Sequence, residues 1–298
     1  MNIIKKVPIP ISGLILAILS LGNLLQVCSP NFKVLCGIIA FVLIFMLIFK
    51  VILYPQDVVH DLSNPIILSN SGTFSMALMI SSTYLSLFNG TLALGVWILG
   101  IALHILLIIW FTYRYIIQHF DIKVVYPSWW IVFIGITMGA ITAHVHGLFE
   151  IAYIFFIFGF ISMIITLPLV VYRYIKYPNN LDQNKPLICI STAIFSILIV
   201  GYTNSFSNLS HEFLMVMYSI AFVLFIFALC KVIEYRNLDF YPSFSAFTFP
   251  FVITAIASSE VHAVNQNFII HFMIIFQTVI AGILVIYVLY RYIKFLLS

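Results

Sequence analysis

Eight histidines and nine acidic residues are the groups in this 298-residue chain able to exchange protons or hold a metal. They gather in short clusters. His144 and His146 precede Glu150, His211 precedes Glu212, and Glu260 stands two residues before His262. Pairs of this kind could carry protons at a membrane surface. A metal needs several converging ligands, and His144-x-His146 sends its two rings to different sides of a helix. Solvated loops are therefore the default reading of these clusters. His104 stands apart, deep in an apolar run. There a neutral imidazole hydrogen-bonded across a helix contact is expected. The four cysteines, Cys28, Cys36, Cys189 and Cys230, form no CxxC pair and read as packing residues. The sequence has no HExxH, phosphate-binding glycine loop or nucleophile motif, so no enzyme chemistry, metal or cofactor is expected.

The elements that must position these groups are set by composition. The chain is 63% hydrophobic and 7% charged, with a mean hydropathy of +1.17. A soluble domain is about a quarter charged. So few charges could not cover a soluble globule of this size. This excludes a soluble enzyme, a nucleic-acid binder and a disordered chain, and points to a polytopic membrane protein. Lys5 and Lys6 before an apolar run resemble a signal peptide. No small-residue cleavage site follows, and Pro8 and Pro10 open the run, so it reads as a retained first span.

A repeat organises the spans. The basic residues Lys50, Arg114, Arg173, Lys231 and Arg291 each close an apolar stretch, at intervals of 64, 59, 58 and 60 residues. Each interval holds two apolar runs. The spacing predicts five helical hairpins in a single transmembrane domain over 1–298. The odd spans are expected near 8–27, 68–88, 127–146, 186–206 and 242–261. The even spans are expected near 33–53, 90–117, 148–174, 209–235 and 267–294. Prolines 8, 65, 127, 186 and 242 stand at or just before the odd starts, where a helix has N–H groups without internal partners.

Charge predicts the orientation. With both termini cytoplasmic, twelve of the thirteen Lys and Arg residues fall inside and only Lys33 outside, a strong positive-inside bias. Tyrosines beside those residues fit an interfacial aromatic belt.

The two classes of span differ chemically. The odd spans carry 24 Ser and Thr in 102 residues, the even spans 7 in 131. Lipid-facing helices should be apolar all round, whereas helices about a path can show hydroxyls to water or solute. The odd helices are expected as an inner ring and the even helices as an outer sleeve. Hydroxyls that mediate helix packing are the competing reading. No Lys, Arg, Asp or Glu falls mid-span in an odd helix, so the path would be uncharged and would bind ions weakly. Basic residues at the inner rim could concentrate anions there.

Two local patterns sharpen this. One is Pro8-Ile9-Pro10-Ile11-Ser12-Gly13 with Leu21-Gly22-Asn23. The other is Ser245-Ala246-Phe247-Thr248-Phe249-Pro250. With the length and the ten-span hairpin repeat, they make the chain resemble the tellurite-resistance/dicarboxylate transporter family, which includes TehA-type channels and the plant slow-type anion channels. The resemblance implies a quasi-fivefold all-α membrane fold with five inner helices about a pore. It implies a homotrimer in the plasma membrane (the bacterial inner membrane) that passes small inorganic anions or dicarboxylates. By motif position it implies a pore gate at Phe249, with Phe247 the less favoured register, and a gate-helix kink at Pro250. Gly13, Gly22, Gly135, Gly139, Gly201, Ser245 and Thr248 are expected beside the pore, with close helix packing the alternative role of the glycines. A proton-coupled carrier for C4-dicarboxylates such as malate would instead use His146, Glu150, His211, Glu212, Glu260 and His262 as proton sites. Tellurite or sulfite export is a further alternative within the same resemblance.

Overall fold

Among the described residues, ten long helices form wherever an apolar run is bounded by a turn. The computed structural model describes residues 3–178 and 180–298. The helices are α1 (Ile11–Leu25), α2 (Pro30–Leu53), α3 (Pro65–Leu85), α4 (Gly90–Gln118), α5 (Trp129–His146), α6 (Phe149–Lys176), α7 (Asp182–Ser205), α8 (His211–Tyr235), α9 (Pro242–Val264) and α10 (Phe268–Leu297). Eight are long and apolar enough to cross a membrane by length and composition. The other two are α1, apolar but 15 residues long, and the Ser-rich α3. No strand occurs among the described residues.

Local chemistry fixes the helix ends. At four of the five hairpin turns a Ser or Asn side chain accepts a hydrogen bond from the first turn of the next helix: Ser29, Asn89, Ser210 and Asn267. This satisfies N–H groups that would otherwise lack partners. The third turn has no such cap. There Gly147 takes φ +70°, a left-handed conformation that costs glycine little, and its N–H closes on the His144 carbonyl.

The inner and outer classes separate as the hydroxyl count predicts. Within their most apolar stretches, 72% of residues in α5, 89% in α7 and 83% in α9 are buried, against 28–33% in the five even helices. In α1 every residue from Ile11 to Gly22 is buried. The five odd helices touch in cyclic order, α1 to α3 to α5 to α7 to α9, and α9 closes onto α1. Each even helix packs on the inner helix of its own hairpin. Their outward faces carry exposed apolar side chains such as Phe45, Leu106, Ile164, Val223 and Ile283, as a lipid-facing surface requires.

Three of the five repeated basic residues bond to linkers at the end opposite the turns. Arg173 donates from Nε to the Lys123 carbonyl at 3.2 Å, and Arg291 donates to the Leu238 carbonyl at 3.2 Å, each reaching the linker that leads into its own hairpin. Arg173 also lies 4.0 Å over the Tyr126 ring and bonds Asn180. Lys50, 4% exposed, pairs with Asp61 at 3.1 Å. Asp61 belongs to a short helix, Pro55–Asp61, which takes up part of the longest repeat interval.

Candidate functional site

The odd helices are not uniform rods. α1 is entered through tight turns, with the Ile11, Ser12 and Gly13 N–H groups donating to the Pro8, Ile9 and Pro10 carbonyls. α5 breaks after Ile134 and resumes at Thr137. α7 and α9 begin as tightly wound 3-10 turns, Asp182–Ile190 and Pro242–Phe247, before relaxing to α-helix. In α9 the change falls on Thr248, at φ −110° and ψ −84°, so the α-helical part starts with Phe249-Pro250. Proline suits this first turn because its missing N–H would have no helical partner.

These irregular stretches surround a central cavity of about 50 Å³, enough for a few waters. All five odd helices line it. Gly13 comes from α1, Asn70 and Thr73 from α3, Trp130 and Gly135 from α5, Ile190 and Ile194 from α7, and Ser245, Phe249 and Pro250 from α9. Phe249 thus faces the axis of the ring. Phe247 is fully buried and packs against Phe244, with tilted rings 5.0 Å apart, away from the cavity. The wall is mostly apolar. Its polar groups are Asn70, Thr73, Ser245 and Trp130, and the Trp130 indole N–H is buried without a hydrogen-bond partner.

A second, larger space of about 660 Å³ opens at the hairpin-turn end, again lined from all five odd helices. Asn23, Thr83, His144, Asn204 and Glu260 contribute to it, with Lys33 from α2. The Glu260 carboxylate lies near Thr203, whose hydroxyl donates to the Val200 carbonyl at 3.1 Å, and shares the wall of this space with His144. Lys33 Nζ donates to Gln26 Oε1 at 3.1 Å and lies 5.1 Å over the Tyr84 ring.

The expectation of a hydroxyl-lined path needs correction. All seven Ser and Thr between Ser69 and Thr83, and Ser86 after them, bond the carbonyl three residues back. Many also bridge helices: Ser12 to Thr73 at 2.7 Å, Ser69 to Ser128 at 2.7 Å, and Thr254 to Thr192 and Ser196. Inner helices meet polar partners on several sides and need these internal bonds where water is absent. The hydroxyl excess therefore identifies the inner ring, but mostly through packing. Thr73 and Ser245 are the hydroxyls that reach the central cavity.

The glycines divide in the same way. Gly13 and Gly135 line the cavity. Gly22 does not: a methyl there would strike Tyr84 and Cys36. Gly139 faces Phe155 of α6, and Gly201 faces Thr137 and Phe156. All three serve close packing. Thr248 is buried beside the cavity rather than in its wall.

The acid and histidine clusters also scatter. Glu150, His211 and Glu212 are exposed near the hairpin turns and line neither space. His146 bonds Ser82 at 3.0 Å and packs at a tilt against Trp97. His262 packs on His271, with ring centroids 5.3 Å apart. Glu260 thus shares the vestibule wall with His144 from a distant span rather than with His262 beside it in sequence, and sequence spacing carried no signal for this. His104 behaves as expected, with Nδ1 2.6 Å from Ser75 Oγ and Nε2 3.1 Å from the Val132 carbonyl. No group of three or more metal-ligating side chains occurs among the described residues.

A ring of five inner helices, three of them interrupted or tightened, around an axial cavity and inside a lipid-facing sleeve defines a multi-pass membrane channel or transporter. Over residues 8–293 the chain matches the voltage-dependent anion channel family, and it belongs to that family. No curated protein matches the chain. Members of this family are channels or transporters for anions, and this chain is one of them.

Proposed function

We propose that the protein is a passive channel for small anions, closed by the Phe249 ring. The supporting observation is that Phe249, at the break in α9, lines a cavity touched by all five inner helices. A phenyl ring in a narrow apolar bore excludes water and so raises the barrier to a hydrated ion. The uncharged wall fits weak binding and fast release. Small inorganic anions are the proposed cargo. The protein is proposed to work as a homotrimer with one path per subunit, in a cytoplasmic membrane. Both termini and the Lys/Arg-rich ends then lie in the cytoplasm and the vestibule with Glu260 opens outside.

The test is current through purified protein in planar bilayers with a chloride gradient. A passive anion path reverses at the chloride Nernst potential without a proton gradient. Reversal that follows the proton gradient instead would favour the proton-coupled dicarboxylate carrier. That second reading draws support from one observation, the carboxylate and imidazole together in the vestibule.

A further inference from the structure

Glu260 is the sole carboxylate among the described residues that line the vestibule, and it is half-buried. A fixed negative charge in a confined mouth with low-dielectric walls repels an approaching anion, because such clefts focus the field. The other titratable groups facing this space are His144 from α5, Lys33 from α2, and the Cys28 thiol after α1. The α3, α7 and α10 segments contribute hydroxyls, an amide and apolar side chains. On α9 itself, His262 turns to His271. His146 is held by Ser82 and is absent from the vestibule wall.

We propose that Glu260 and His144 form a proton-binding filter in this vestibule, which admits small monovalent anions when it is loaded with protons. The inference rests on the anion path proposed above and adds the residues that control entry. With Glu260 ionised and His144 neutral the pair carries one negative charge. One proton brings it to neutrality, and a second leaves a net positive charge on the imidazole. Both steps have the same sign for an anion: protonation removes repulsion and then adds attraction. Lys33 lines the same mouth and is shared by every variant compared below. The neighbouring Thr203 hydroxyl donates to the Val200 carbonyl at 3.1 Å, which leaves its oxygen free to accept from a protonated Glu260.

The experiment measures chloride current in bilayers at symmetric pH, stepped from about pH 8 to about pH 5.5. Phe249→Ala serves as the background, so that the aromatic ring does not mask entry. The current should rise about tenfold over this interval, the scale on which a focused charge alters ion access. Glu260→Gln in the same background should give high current with most of the pH dependence lost. Glu260→Asp should keep that dependence. His144→Gln removes one of the two steps and should shrink the rise, an independent reading should Glu260→Gln fail to fold. Flat current across the interval in the Phe249→Ala protein overturns the filter while leaving the pore intact. Unchanged pH dependence in both Glu260→Gln and His144→Gln also overturns it. No chloride current at any pH from well-folded Phe249→Ala protein overturns the pore reading itself.

Discussion

The Thr248 hydroxyl donates to the Ser245 carbonyl at 2.6 Å, and this short bond pins the break in α9 immediately before Phe249. The same oxygen lies 3.4 Å from the Gly13 carbonyl of α1. The irregular turn that places the aromatic ring on the axis is thus held both within its own helix and to the neighbouring one.

Phe249→Ala should raise chloride conductance in bilayers by about tenfold or more, since each ~1.4 kcal/mol removed from a barrier gives a factor of ten. Phe247→Ala is the matched control. It is fully buried and off the cavity, so its loss should cost about 3–5 kcal/mol of stability and leave the single-molecule conductance of folded protein unchanged. Equal conductance changes in the two variants would sink the assignment of the gate.

Trp130→Phe should lower conductance several-fold while leaving thermal stability equal or higher. The indole N–H is buried beside the cavity without a partner, and an unpaired buried donor costs about 1–3 kcal/mol. Phenylalanine keeps an aromatic ring and removes that donor. Unfolding temperature in detergent and bilayer current on the same preparation check both halves.

Gly100→Leu should destabilise the protein by about 1–3 kcal/mol. A Cβ at Gly100 falls 2.9 Å from the Ser75 carbonyl oxygen and 3.0 Å from the Met79 amide nitrogen, so α4 would have to move off α3. Gly95, on the same helix, has open space around it. Gly95→Leu should be tolerated, and size-exclusion profiles after heating distinguish the two.

Asp61→Asn should cost about 3–5 kcal/mol, because it strands the buried Lys50 ammonium without its counter-charge. Lys50→Met combined with Asp61→Asn should recover most of that loss, since no lone charge is left buried. A double variant no better than Asp61→Asn alone, judged by thermal unfolding, would show that the pair is not the reason Lys50 is tolerated there.

The ten helices were legible because each rests on a local property, an apolar run with a proline, a capping Ser or Asn, or a basic residue at its end. The ring assignment was legible too, from the Ser and Thr excess, although most of those hydroxyls serve packing. Side-chain direction was harder to read. A helix buried on all sides has no apolar stripe to mark its inner face, so nothing local separates Gly135 in the cavity wall from Gly139 against Phe155. That Glu260 and His144 line one space was hidden for a different reason: it depends on how α5 and α9 are rotated about the ring, which no spacing along the chain encodes. Phe249 was found through a family pattern; its residue type alone, among 29 phenylalanines, marks nothing.

The contact between Thr248 and Gly13 joins positions 235 apart in the chain. During synthesis the first four inner helices can assemble only as an open arc, one stave short of a barrel. A ribosome that stalls before the ninth helix therefore leaves a membrane protein with no enclosed bore and no route for ions to leak. The last hairpin to be made is the part that turns an inert arc into a conduit.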